Sequence, residues 1–265
     1  MAVFSRARPG ALALAAGVLL SALAAPALAD GAAPAAPAVL AAPAEGVYAA
    51  LRASYEGVSN LTCVVRREMP LPGGKTVRVI SRVAWARGNR LASVSVSPPG
   101  RKVVIDGEKV YDRREAGGAV RVRALSDQST AQKANQVSVP ASPEEYLLPF
   151  DGAEARDIPP AKGEARRVLF VSPEDAVGVP PSIAAGFAAD GRVTELTYFL
   201  DRGGEAPGAR LRFLLPREVL PGAWLYAREE LADADGRTAV SRFDELAVNA
   251  DLPASLFSAD GAFDE

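Results

Sequence analysis

Histidine is absent from all 265 residues, and cysteine occurs once, as Cys63. The lack of histidine excludes Ser-His and Cys-His catalysis and His-ligated metal sites. A single cysteine cannot form a disulfide within the chain, and the apolar neighbours of Cys63 predict a buried, inert thiol. Adjacent acids such as Glu229-Glu230 point to different sides of a strand, so they suit a solvated surface better than a catalytic pair. We therefore predict no enzyme activity, no metal site and no cofactor.

Neither acidic nor basic residues are concentrated in one part of the sequence. The first 29 residues resemble a secretory signal peptide. Arg6 and Arg8 precede an apolar run from Ala11 to Ala25, and Ala27-Leu28-Ala29 fits a cleavage site. The run is shorter than the roughly 20 apolar residues of a spanning helix, which favours cleavage after Ala29 over an uncleaved anchor. Cleavage reduces 30 Lys+Arg to 28 against 32 Asp+Glu. A mildly acidic, exported protein of the periplasm is predicted, with no nucleic-acid partner.

Residues 30–44 are almost wholly Ala and Pro, which predicts a semi-rigid linker between the signal (1–29) and one domain (45–265). The domain opens with a helix, because apolar residues recur every three or four positions from Val47 to Leu61. Further along, Ser142-Pro143-Glu144-Glu145 has the pattern of a helix start. The short helix that it predicts is very apolar, with Tyr146, Leu147, Leu148 and Phe150, so it should cover an apolar surface.

Elsewhere the apolar period is two, which is typical of antiparallel strands with one buried face. Between residues 76 and 87, one side would carry Val77, Val79, Val83 and Trp85, and the other Arg78, Ile80, Arg82 and Ala84. Asp-Gly steps at 106–107, 190–191 and 235–236 predict tight hairpins. Strands are predicted near 61–68, 75–87, 90–97, 102–106, 109–114, 119–125, 165–171, 182–189, 192–200, 208–216, 222–231 and 237–247. The fold class is therefore mainly β with a few helices.

The order of these features resembles the LolA-like outer-membrane lipoprotein carriers. The stretches that carry the resemblance are Leu61-Thr62-Cys63-Val64 after the opening helix, Trp85-Ala86-Arg87-Gly88-Asn89-Arg90-Leu91, the valine-rich run with Asp106-Gly107 up to Tyr111, the apolar helix in mid-chain, and the closing segment Val248 to Phe257. The resemblance implies a strongly curved antiparallel sheet, an incomplete barrel, with helices on its concave face. It also implies a hollow that holds acyl chains of a lipoprotein or lipid in transit across the periplasm.

The resemblance further implies site residues. In this family an arginine at the place of Arg87 holds the cover closed through backbone carbonyls, which makes Arg87 a candidate latch; the alternative is a side chain solvated at the turn with Gly88 and Asn89. The candidate hollow walls are Trp85, Tyr111, Phe199, Phe213 and Trp224 from the sheet and Tyr146, Leu147, Leu148 and Phe150 from the cover. Ordinary core packing would produce the same pattern. Leu252, Leu256 and Phe257 are predicted to cap one end of the hollow.

The leading hypothesis is a periplasmic, monomeric carrier of acylated lipoproteins or lipids bound for the outer membrane. Its implied partners are an inner-membrane release complex and an outer-membrane acceptor. Leu214 to Arg237 is longer than the matching hairpin of the classical carriers. This departure leaves an alternative open: a half-barrel sensor that regulates envelope-stress signalling and uses the long hairpin to dock on a membrane partner.

Overall fold

Strands dominate the computed structural model, which describes residues 37–71, 73–127, 142–174, 176 and 178–258. The signal peptide and residues 30–36 lie outside these ranges. The described helices are α1 (Ala38–Ala41), α2 (Val47–Ser54) and α3 (Pro143–Leu147), with 3-10 helices at Ala44–Gly46, Leu148–Phe150 and Ala254–Phe257. The described strands are β1 (Asn60–Pro70), β2 (Thr76–Ala86), β3 (Arg90–Ser97), β4 (Pro99–Asp106), β5 (Lys109–Arg113), β6 (Arg121–Ala124), β7 (Glu154–Asp157), β8 (Arg166–Val171), β9 (Ser182–Phe187), β10 (Val193–Phe199), β11 (Pro207–Leu220), β12 (Ala223–Asp233) and β13 (Thr238–Val248).

Within the described ranges these strands form one open antiparallel sheet in the order β6-β5-β4-β3-β2-β1-β13-β12-β11-β10-β9-β8-β7. Two meanders, β1–β6 and β7–β13, are joined where β1 pairs with β13, with Val65 opposite Phe243. The edge strands are therefore β6 and β7, so the chain that carries α3 must cross from one edge to the other. The predicted fold class, a curved antiparallel sheet with covering helices, is confirmed. The four-residue β7 was missed because Glu-Ala-Arg-Asp shows no apolar alternation.

The pleat separates an inner face, which meets the helices, from an outer face. Trp85 belongs to the large inner cluster together with Ile105, Phe170 and Phe213. Ala84 and Val104, one position away on the same strands, belong to a separate outer cluster. This separation follows from the period of two along each strand.

Residues 37–44, the described part of the predicted semi-rigid linker, pack on the domain. Val39 and Ala44 are buried in the inner cluster. The Arg166 guanidinium donates to the carbonyls of Val39 (2.8 Å) and Ala42 (2.6 Å) and also to Asp157 Oδ1 (2.8 Å). One arginine thus satisfies carbonyls at the end of α1 that lack an intrahelical partner.

The closing segment lies on the face opposite to the one predicted. Phe257 is buried against outer-face residues of β2–β4, and Leu252 and Leu256 pack beside it. The prediction that these three residues cap the inner hollow is therefore wrong. Asn249 ends β13 as expected: its side-chain oxygen accepts from Ser59 N (2.8 Å) and its amide donates to Gly57 O (2.9 Å).

The tip of the β11–β12 hairpin packs against the end of α2. A Cβ added at Gly57 would lie 2.8 Å from Leu220 Cδ1, so a larger residue there would require the Leu220 side chain to shift. The buried Tyr55 hydroxyl donates to Trp224 O (2.5 Å) and accepts from Trp224 N (3.2 Å). The long hairpin is thus fastened to the opening helix at its tip.

Candidate functional site

The cover consists of α3 and the 3-10 helix that follows it, and both lie on the inner face. Leu147 is 0% exposed and Phe150 is 2% exposed, and both belong to the inner cluster. The Tyr146 ring meets the Phe213 ring with centroids 5.9 Å apart. Pro143 occupies the first turn of α3 as expected, but the Ser142 hydroxyl makes no capping hydrogen bond. A five-residue helix without a side-chain cap depends on packing for its stability.

Seven of the ten predicted site residues come together in or against the inner cluster: Trp85, Tyr146, Leu147, Leu148, Phe150, Phe213 and Trp224. Arg87 stands at the edge of this group, beside the end of α2. The seven residues together form an apolar contact between the inner face of the sheet and its helical cover. In the described structure the cover side chains pack directly on the sheet.

Tyr111 and Phe199 lie elsewhere. Tyr111 packs against the outer cluster and donates to Asp106 Oδ2 (2.9 Å). Phe199 belongs to a second outer cluster with Leu169, because it alternates along β10 with Leu196 and Tyr198, which lie on the inner side. Tyr198, the neighbour that sequence reasoning passed over, packs on the inner cluster instead.

Arg87 donates two hydrogen bonds to backbone carbonyls just beyond α2. Its Nε lies 2.9 Å from Val58 O, and its Nη2 lies 2.5 Å from Tyr55 O. The fixed fork of a guanidinium suits two neighbouring carbonyls. These bonds join the end of β2 to the opening helix, and a role in holding the cover closed stays a prediction.

Two carboxyl groups of the cover are perturbed by burial. Desolvation raises the pKa of Glu144 to about 8, with Glu145 adding repulsion and Arg87 and Arg52 opposing the shift. Desolvation likewise raises the pKa of Glu145 to about 7 against the same two arginines. The first turn of α3 therefore sits in a partly dry environment where its acids hold protons near neutral pH.

Glu229 is the inner-face residue that the sequence reading placed on the surface. It is 3% exposed, and its Oε2 accepts a hydrogen bond from the Tyr146 hydroxyl at 3.0 Å. Cys63 is buried in the same cluster; desolvation, and then the charge of Glu229, raise the pKa of its thiol to about 12. Such a thiol is a poor nucleophile.

A cavity of about 450 Å³ opens at one rim of the sheet, beside the β2–β3 and β4–β5 turns. Its walls include none of the ten predicted site residues; they are Asn89, Gly107, Glu108, Lys109, Ala124, Leu125 and Ser126. Across the part of the chain that the structure describes, no three Cys, Asp or Glu residues are grouped to hold a metal ion. None of the helices in that part has the length and apolarity that crossing a membrane requires.

An open half-barrel with an apolar, helix-covered inner face is the architecture of the LolA-like fold, and the chain has this fold. It is similar to a domain assigned to outer membrane lipoprotein sorting from Vibrio parahaemolyticus, at 13% identity over 82% of this chain and 97% of that chain (TM-score 0.58). It is also similar to a LolA superfamily protein from Nitrosomonas europaea, at 13% identity over 83% of this chain and 99% of that chain (TM-score 0.57).

A DUF1329 family protein from Desulfovibrio piger is a third similar structure, at 12% identity over 83% of this chain and 97% of that chain (TM-score 0.61). No family model matches the sequence, and no curated protein matches it. At these identities the likeness concerns the fold.

Proposed function

We propose that this protein is a periplasmic carrier that binds acyl chains of lipoproteins or lipids between the cover and the inner face of the sheet. The observation that carries the proposal is the cover itself. Part of the apolar inner face is covered by α3 and the 3-10 helix after it, in which Leu147 and Phe150 are fully buried. A short segment of this kind can lift without disrupting the strand ladder, and lifting it exposes an apolar surface.

Removal of acyl chains from water would supply the binding energy, at about 0.8 kcal/mol per buried methylene. Ordering the chains and lifting the cover offset part of this gain. No chemical step is involved, so the carrier function needs no catalytic group. The LolA-like fold supports the proposal by analogy, since fold alone does not determine function.

The predicted signal peptide supports a periplasmic location for the carrier. Delivery toward the outer membrane would then require an inner-membrane release complex and an outer-membrane acceptor, with the carrier acting as a monomer. The alternative, an envelope-stress sensor that docks through the long hairpin, gains no support from the hairpin tip, because the tip is packed on α2 through Leu220 and Trp224.

Native mass spectrometry of protein purified from the periplasm, combined with titration of a fluorescent acyl probe, tests this function. Lipid should co-purify with the wild-type protein. Leu147→Glu places a charge under the cover and should weaken probe binding at least about tenfold, because a buried unpaired carboxylate is costly. Leu200→Glu is the matched control, since Leu200 is 70% exposed.

The Leu200→Glu variant should bind the probe as the wild type does. If the wild-type protein carries no lipid and Leu147→Glu leaves probe affinity unchanged, the carrier function is wrong. Recovery of an inner-membrane regulatory partner without any lipid would favour the sensor instead.

A further inference from the structure

Three arginines lie side by side on the outer face, where β12, β13 and β1 pair. Arg242 stands directly opposite Arg228 on β12 and Arg66 on β1. Their side chains point outward because Phe243, the neighbour of Arg242, is buried in the inner cluster. Like charges directly opposite each other destabilise a sheet. The three arginines therefore favour a negative group that lies against them.

The two flanking arginines have acidic partners of their own, whereas Arg242 does not. Arg66 Nε lies 2.6 Å from Asp244 Oδ2, and Arg228 pairs with Glu230. Arg242 is exposed, and its guanidinium takes part in no ion pair or hydrogen bond within the described ranges. Its charge is thus available to an external partner.

The positive charge continues onto β2 and β4, with an exposed valine between them. The strand register places Arg82 opposite Val94 on β3, and Val94 opposite Lys102 on β4. Arg82 is exposed and, among the described residues, has no ion pair. Val94 is 38% exposed, and Val96 further along β3 is 46% exposed. The row lies on the outer face, because residues two positions away on the same strands form the outer cluster, namely Ala84, Ala92 and Val104.

We propose that these residues form a basic patch that docks the protein on a membrane surface rich in anionic phospholipids. The basic patch comprises Arg66, Arg82, Arg242, Lys102, Val94 and Val96. This docking goes beyond the proposed function, because the patch lies on the face opposite to the cover and needs no movement of it. The predicted mature protein is acidic overall, so a local positive excess distinguishes this part of its surface.

The composition of the basic patch fits a membrane surface. Guanidinium groups bind phosphate groups well, and each basic side chain close to an anionic bilayer adds attraction. Exposed apolar side chains among basic ones can enter the headgroup region of the bilayer. Val94 and Val96 supply such side chains, whereas an acidic protein segment would gain mainly from the arginines. The valines therefore favour a phospholipid surface over an acidic protein partner.

Sedimentation with vesicles tests the docking. The protein purified from the periplasm should bind vesicles of phosphatidylcholine with about 30 mol% phosphatidylglycerol, and it should not bind phosphatidylcholine alone. Arg82→Gln/Arg242→Gln should weaken binding to the anionic vesicles about 25-fold, at about fivefold per arginine. Raising the salt concentration should weaken wild-type binding too, because salt screens exposed charges.

Arg210→Gln/Arg212→Gln is the matched control. It removes the same charge from the outer face, but these two arginines pair with Glu195 (3.3 Å) and Glu230 (3.6 Å). The control should bind the anionic vesicles within about twofold of the wild type, because each lost charge was already offset by an acid. An equal loss in the two double variants would attribute binding to net charge alone and overturn the docking site.

Val94→Ser separates a membrane from an acidic protein partner. It should weaken vesicle binding about threefold by removing an apolar contact with the headgroup region, and it should leave binding of polyglutamate unchanged. If polyglutamate binds as tightly as the vesicles and Val94→Ser affects neither, the basic patch serves an acidic protein and the membrane docking is wrong.

The acyl probe keeps the docking separate from the carrier function. Leu147→Glu should bind anionic vesicles as the wild type does, because Leu147 lies under the cover on the inner face. Loss of vesicle binding by a Leu147→Glu variant with a wild-type circular dichroism spectrum would contradict docking through the outer face. Wild-type protein that binds the acyl probe but no anionic vesicles would disprove the docking and leave the carrier function standing.

Discussion

The inner and outer faces of the sheet differ in what covers them. The inner face meets the three described helices and is mostly apolar, with Glu229 buried among its side chains. The outer face carries a row of charged residues, here called the outer charge row, in which the strand register places opposite charges side by side. From β2 to β8 it contains Arg78, Glu68, Glu230, Arg212, Glu195 and Arg167.

The comparison shows that a single strand register determines both the ion pairs of the outer face and the position of the buried acid on the inner face. On β12, Glu229 points to the inner cluster and Glu230 to the outer charge row. Cross-strand ion pairs stabilise a solvated face modestly and fix its register. The same register places Glu229 inside, where its Oε2 accepts a hydrogen bond from the Tyr146 hydroxyl of the cover. The outer acid takes part in ion pairs on the sheet surface, whereas the inner acid is buried.

The largest effect is expected at the buried end of the outer charge row. Arg167 pairs with Glu164 Oε1 at 3.0 Å and donates to Thr197 Oγ1 at 2.6 Å, and its side chain is only 10% exposed. Arg167→Ala leaves the buried Glu164 without this partner and should lower the free energy of unfolding by about 3–5 kcal/mol. Urea unfolding followed by circular dichroism measures the change.

Arg78 provides the control at the solvated end of the same row. Its pair with Glu68 spans 3.2 Å, but its side chain is 77% exposed. Arg78→Ala should cost about 0–1 kcal/mol. Equal losses of unfolding free energy in the two variants would show that the contribution of these ion pairs to stability does not depend on their burial.

A smaller effect is expected at the rim, where Arg87 joins the sheet to the opening helix. Arg87→Ala removes the bonds to the carbonyls of Tyr55 and Val58 and should lower stability by about 1–3 kcal/mol. Amide exchange should accelerate in α2 and α3 more than in the central strands. Arg90→Ala, which removes a bond from Arg90 Nε to Arg87 O, is the nearby control. Unchanged exchange in both helices would argue against a latch.

The most local effect is expected from the acids of the cover, whose desolvation Arg52 and Arg87 only partly offset. The pKa values of Glu144 and Glu145 are raised to about 8 and about 7 from 4.5. Since the folded state holds these protons more tightly, their stabilising contribution is complete below about pH 4.5 and is lost as pH rises to about 8. The cover should therefore loosen over this range.

Exchange rates of the α3 amides, corrected for intrinsic base catalysis, measure this loosening between pH 5 and 8. The double variant Glu144→Gln/Glu145→Gln should flatten the profile. Glu68→Gln, on the outer face, serves as the control and should leave the profile unchanged. A double variant with the wild-type slope would assign the loosening to other groups.

Much of the fold could be predicted because its signals are local. Twelve of the 13 described strands and the apolar cover follow from periodicity, turn residues and the proline that opens α3. Seven of the ten predicted site residues also converge, because alternation assigns Trp85 and Phe213 to the same face. Phe199 lies on the outer face, because both faces of β10 carry apolar side chains and alternation by itself does not indicate which face is the inner one.

The sequence by itself determined three features. These are the absence of histidine chemistry, the alternating strands, and a short apolar helix that must pack on another surface. Only the tertiary structure decided which end of the chain covers which face. The Ala/Pro-rich start closes on the inner cluster through Val39, and the closing Phe257 lies outside. It also decided that Glu229 is buried, because strand pairing and the position of Tyr146 are long-range contacts. Apolar periodicity indicates that a residue will be buried, but it does not indicate which segment of the chain packs on it.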